Sequence, residues 1–155
     1  MNLAHPQDVA HDALDVIRRR VRGAQMLVVP RAFKELVNIA LNDPAPKQRE
    51  IAHKALSRLR RDWGMSPVEL TDLQTTFARS IANKLLDQGL IPPAERNDAR
   101  ILAEAALLEC QLLVSSDSHL CDIDPGQLAL ALQACGVSVV LVISPRDIVR
   151  KYAGR

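Results

Sequence analysis

The stretch NDARILAEAALLECQLLVSSDSHLCDID, residues 97–124, constrains the fold more than any other part of the chain. Ile101, Leu102, Ala105 and Leu108 recur at helical spacing, so one stripe of a helix faces a core. Gln111 ends that pattern. Leu112, Leu113 and Val114 then form a short apolar run suited to a strand covered on both faces. Ser115, Ser116, Asp117 and Ser118 follow, which places Asp117 at a strand end, on the carboxyl edge of a parallel sheet. Open α/β sheets bind ligands along that edge. Asp98 falls in the first turn of the preceding helix, so two acids on adjacent elements stand where they can meet and hold a divalent cation. Each alone has an ordinary role: Asp98 favours a helix amino end by its charge, and Asp117 caps a turn.

The rest of the chain alternates helices with strands. Helical spacing over 6–22 marks Ala10, Leu14, Ile17 and Val21 as an inner face, with Gly23 as the stop. Residues 26–29 read as a short strand ended by Pro30, and residues 31–41 as a helix with Phe33, Leu36, Val37 and Ala40 inward. The Asn42–Pro46 segment breaks the chain, and a charged amphipathic helix is expected over 47–63. A turn at 64–67 and a short strand at 68–70 precede a helix capped by Thr71 or Asp72 and stopped at Gly89. Past Asp124, a helix runs from Pro125 to Ala134, and residues 137–143 read as the clearest strand. Ser144 and Pro145 suit the N-cap and first position of a last helix, which Ile148, Val149 and Tyr152 pack onto the sheet. This alternation predicts an α/β fold with a mainly parallel sheet. With no repeat, low-complexity tract or long linker, residues 1–155 are expected to form a single domain.

Composition narrows the partners. Aromatic residues make up 3% of the chain, so stacking platforms for bases are not expected. The formal net charge is only +2, but cations cluster at Arg18, Arg19, Arg20 and Arg22, at Lys54, Arg58, Arg60 and Arg61, and at Arg146, Arg150 and Lys151. Such clusters attract a phosphate backbone if they share a face; at helix ends they also complement the helix dipole. Three cysteines, Cys110, Cys121 and Cys135, without paired spacing suggest a reduced, cytoplasmic protein, and His119 with Cys121 lacks the partners of a zinc site. The polar start at His5, Pro6, Gln7 and Asp8 is no signal peptide, and the longest apolar run is too short to span a bilayer.

Glu35, Asp98 and Asp117 each fall just after a strand or in the first turn of a helix, positions that gather along one edge of a parallel sheet. Three carboxylates together repel unless a cation neutralises them. Oxygen donors without Cys or His suit Mg²⁺ or Mn²⁺, ions that activate water against a phosphodiester. Three segments then resemble the PIN domain family. VVPRAFKELV looks like its strand-to-helix segment with an acidic Glu, here Glu35. NDARILAEAALLECQLLVSSDSHL resembles its helix-opening Asp, small-residue helix and strand ending in a (Thr/Ser)-x-Asp turn; Asp98, Ser115 and Asp117 match. VSVVLVISPRDIVRKY resembles its closing strand and Ser-Pro helix.

The resemblance covers most of residues 8–152 and implies a three-layer α/β/α sandwich and a Mg²⁺- or Mn²⁺-dependent ribonuclease, with Glu35, Asp98 and Asp117 as catalytic metal ligands. It also implies a toxin of the toxin–antitoxin type, inhibited by a small antitoxin-like protein, and a homodimer. Asn97 is a candidate cap and neighbour of the metal site, Ser115 and Ser116 orient metal-bound water or cap the turn, and Asp122 extends the acids or caps the helix at Pro125. Arg31, Lys34 and Arg96 flank the site and are candidates for RNA phosphates. One departure stands out. PIN domains open with a strand ending in a metal-binding Asp, in a pattern like Leu-Asp-Thr/Ala-Asn, and here Met1 directly precedes the first helix. Asp8, Asp12 and Asp15 are not assigned that role. The chain is then either a shortened enzyme or a natural remnant that binds RNA or a protein partner. In both cases the sheet lacks its central strand, and the exposed edges favour reduced stability or pairing between copies. A small nucleotide-binding domain is disfavoured, since no glycine-rich loop follows a strand.

Overall fold

The computed structural model describes residues 9–154. The chain is a mixed α/β protein with short parallel strands, and its contacts divide it into two compact units. One holds the described residues up to Val68 and those from Pro145 on; the other is Glu69–Ser144.

The first unit contains α1 (Val9–Arg20), β1 (Met26–Val28), α2 (Pro30–Asn42), α3 (Pro46–Arg58), β2 (Met65–Pro67) and, after the second unit's elements, α8 (Pro145–Tyr152). Proline at the first position starts α2 and α3, where a missing N–H costs nothing. Ala10, Leu14, Ala55, Leu59, Trp63 and Met65 form a buried cluster, and Met26, Val28, Phe33, Leu36 and Leu56 pack against it. The predicted start of α1 at residues 6–8 lies outside the described residues.

The strand expected at 68–70 lies earlier, at Met65–Pro67, paired in parallel with β1 in the register Met26↔Met65, Leu27↔Ser66, Val28↔Pro67. Likewise α3 stops at Arg58 rather than running to residue 63. Backbone hydrogen bonds decide both. The chain turns after Leu59 through Gly64, at φ +58, and the Met65 N–H returns to Leu59 O at 2.8 Å. Val68 N–H donates to Val28 O. Strand residues alternate sides, so the Pro67 nitrogen faces away from β1 and no rung is lost. The last helix also differs from expectation: α8 packs on α1, and Tyr152 is exposed rather than turned onto a sheet.

The second unit contains α4 (Asp72–Asp87), α5 (Arg96–Leu107), β3 (Leu112–Val114), the short α6 (Ser118–Cys121), α7 (Pro125–Ala134) and β4 (Leu141–Ile143). Its main packing is α4 on α5. Ala78, Ile81, Ala82 and Leu85 meet a partner helix that buries Ala99, Leu102, Ala103, Ala105 and Ala106. α4 starts with a full capping box: Gln74 N–H donates to Thr71 Oγ1, and Thr71 N–H donates to Gln74 Oε1. It ends at Gly89, φ +69, where Gly89 N–H bonds Leu86 O and Leu90 N–H bonds Leu85 O. β3 pairs in parallel with β4, Leu112↔Leu141 to Val114↔Ile143. The strand expected over 137–143 shortens to three residues because β3 offers only three partners. Asn97 is not the cap of α5; that position is Glu95, and Asn97 lies inside the first turn.

Substituting Thr71 by Ala is expected to remove the capping box and lower stability by about 1 kcal/mol, read from the midpoint of urea denaturation with an unchanged slope.

Candidate functional site

The polar turn after β3 is built by its own side chains. Ser115 N–H donates to Ile143 O and carries the ladder one residue past β3. The Asp117 N–H donates to Ser115 Oγ at 3.1 Å, and the Cys121 thiol donates to Ser115 O at 3.3 Å. Asp117 Oδ1 accepts the His119 N–H at 2.7 Å, which makes Asp117 the N-cap of α6. Ser115 thus shapes the turn, Ser116 stands exposed, and the cap engages one of the two Asp117 oxygens.

The amino end of α5 reaches the same place. Asp98 lies in the first turn of α5, half-buried, with Oδ2 closed off from solvent. A negative charge there is favoured by the unpaired N–H groups of the helix start. His119 Nε2 of α6 stands 3.7 Å from Oε1 of Glu95, the N-cap of α5. This contact ties α6, which follows β3, to the amino end of α5. Arg96 is exposed at the first position of α5.

The remaining candidates divide. Asp122 is the C-cap of α6 and does not cap α7; Asp124 alone does, accepting the Gln127 N–H at 2.8 Å. Glu35 belongs to the first unit and sits in the second turn of α2, not the first, because the helix already begins at Pro30. Its Oε1 is 3.7 Å from Arg31 Nε, and Lys34 beside it is exposed. The three cysteines are free thiols, and burial pushes the Cys110 thiol up from its ordinary range.

Carboxylate oxygens suit Mg²⁺ or Mn²⁺ by their chemistry. Among the described residues, however, no three His, Cys, Asp or Glu side chains gather where they hold one ion.

One charged pair in this unit was not singled out by sequence reasoning. Glu104 is 3% exposed in the middle of α5, with Arg100 Nε 3.4 Å from its Oε1. Arg100 Nη2 also donates to Thr75 O on α4 at 3.0 Å, so this arginine links the two helices. The signal was present: an acid within the small-residue stripe, one turn after an arginine.

No protein-family model matches the chain, nor does any curated protein or solved structure. Among the described residues no helix is long and apolar enough to cross a membrane.

Asp117→Asn keeps an acceptor for the His119 N–H and is expected to hold stability within about 0.5 kcal/mol, whereas Asp117→Ala removes the cap and costs about 1 kcal/mol. Thermal unfolding of both variants checks this; equal losses would mean the cap contributes nothing.

Proposed function

We propose that this chain is a PIN-type module serving metal-dependent hydrolysis of RNA phosphodiesters, built as a three-layer α/β/α sandwich. In this reading it is the toxin component of a toxin–antitoxin pair, held in check by a small antitoxin-like protein. The observation that supports it is the 3.7 Å contact between His119 and Glu95, which links α6, capped by Asp117, to the N-cap of the helix that bears Asp98. Carboxylates at the carboxyl edge of a parallel sheet are what a divalent cation requires there. The strand pairing is also in keeping with it. The strands form parallel pairs, β1–β2 and β3–β4, the pairing direction that an α/β fold of this type uses.

A second reading is a catalytically impaired module that binds RNA or a protein without cutting. It is favoured by the lack, among the described residues, of any third His, Cys, Asp or Glu completing a metal-binding group. The two readings differ in metal binding. Isothermal titration of Mn²⁺ is expected to show saturable binding that Asp98→Asn and Asp117→Asn weaken, with RNA cleavage falling by about 100-fold or more. Absence of Mn²⁺ binding leaves the impaired module standing, whereas full cleavage by Asp117→Asn refutes the assignment of Asp117 as a metal ligand.

Open strand edges carry the expectation of a homodimer. Leu141 N–H bonds Gln111 O and Ser115 N–H bonds Ile143 O, so the backbone groups of Leu112 and Val114 point away from β4. This Leu-Leu-Val edge holds no charge or proline to discourage pairing. Light scattering is expected to give twice the 17.1 kDa chain mass, and a stable monomer overturns edge pairing.

A further inference from the structure

Three groups of cations that lie far apart in sequence meet at one end of the first unit. The last turn of α1 holds Arg18, Arg19 and Arg20, that of α3 holds Arg58, and that of α8 holds Arg150 and Lys151. Arg22 follows α1, and Arg60 and Arg61 follow α3. Two hydrogen bonds join the three ends. Arg18 Nη2 donates to Asp62 O, beyond α3, at 3.2 Å, and Arg20 Nη2 donates to Tyr152 O, the last residue of α8, at 3.3 Å.

Helix carbonyl ends attract cations, and that accounts for part of the cluster. It does not account for all of it. A carbonyl oxygen orients a guanidinium without cancelling its charge, so Arg18, Arg19 and Arg20, which donate to backbone oxygens, stay cationic. The carboxylates paired with the cluster are Asp15 with Arg18, Asp62 with Arg58 and Arg61, and Asp147 with Arg150. The Arg61 guanidinium hydrogen-bonded to Asp62 holds that carboxyl below its ordinary range, so Asp62 is already committed. Arg22, Arg60 and Lys151 are exposed and make no hydrogen bond or ion pair among the described residues. The surface therefore keeps a marked positive excess that nothing among the described residues of the unit neutralises.

We infer that this basic end, where α1, α3 and α8 finish, is a docking surface for the phosphate backbone of RNA. The inference rests on the RNA reading above and adds to it cations other than Arg31, Lys34 and Arg96. Flexible arginines offering several donors each suit phosphate oxygens. The scarcity of aromatic side chains argues for contact with the backbone rather than stacking on bases. Binding is accordingly weakly dependent on sequence and strongly dependent on salt.

The test is fluorescence anisotropy of a labelled single-stranded RNA of mixed sequence, in EDTA and over a series of salt concentrations. The full chain is compared with the triple variant Arg22→Ala, Arg60→Ala, Lys151→Ala, whose partnerless side chains leave the fold intact by circular dichroism. The triple variant is expected to bind about tenfold more weakly, and its dependence of log K on log salt to be shallower by about 2. Unchanged affinity and slope overturn the inference. So does a wild-type chain that fails to bind RNA at low salt, or one that prefers phosphatidylserine vesicles to RNA. Cleavage of the same RNA with Mn²⁺, run alongside, separates this surface from the nuclease reading. Patch-dependent binding without cleavage keeps the surface and sinks the nuclease, whereas cleavage with patch-independent binding does the reverse.

Discussion

Ala78 and Leu85 of α4 and Ala99, Leu102 and Ala103 of α5 are wholly closed to solvent, and the second unit depends on that contact. A parallel ladder of three residues is too short to be stable alone, so β3 and β4 depend on the rest of the unit, although Leu112 and Leu141 are exposed and the expected cover on both faces is absent at those positions. Small side chains on both helices let the backbones come close, and the apolar surface they remove from water is the main favourable term. Arg100 fastens the same contact from its polar side by bonding Thr75 O and facing the buried Glu104. Glu104 is tolerable in that place because its charge has a partner; a lone buried carboxylate would cost several kcal/mol.

From that packing follows the position of the acids. Because α5 is fixed against α4 and the chain reverses directly into β3, α6 comes back to the amino end of α5, where His119 meets Glu95. Capping chemistry then sets the local detail. Asp117 closes α6 through the His119 N–H, and Ser115 holds the turn through its hydroxyl and its carbonyl.

Charge in this protein is arranged by location rather than by amount. A net charge of +2 hides acids at two helix starts, Asp98 in the first turn of α5 and Asp117 as the cap of α6, and a basic end where α1, α3 and α8 finish. Each is stabilised by the helix termini beneath it, acids at a helix start and cations at three helix finishes, which is how the backbone dipole sorts side chains.

The sequence by itself determined the elements whose signals are local. The helix carrying Asp98, the strand Leu112–Val114, the helix Pro125–Ala134 and the Thr71 cap all follow from periodicity, proline and capping residues within a few positions. What sequence could not carry were features set by distant partners. β2 falls at Met65–Pro67 because Leu59 and Val28 supply its hydrogen-bond partners, and β4 is cut to three residues by the length of β3. Glu35 lies a turn deeper in its helix than expected, since Pro30 already serves as its first residue. Only the tertiary structure decided that the strands form two pairs, that Glu104 is buried, and that Arg18 and Arg20 draw three cationic helix ends together. Local rules act through backbone geometry over a turn or two, whereas burial and hydrogen bonding between residues 44 or 132 positions apart exist only once the chain has folded.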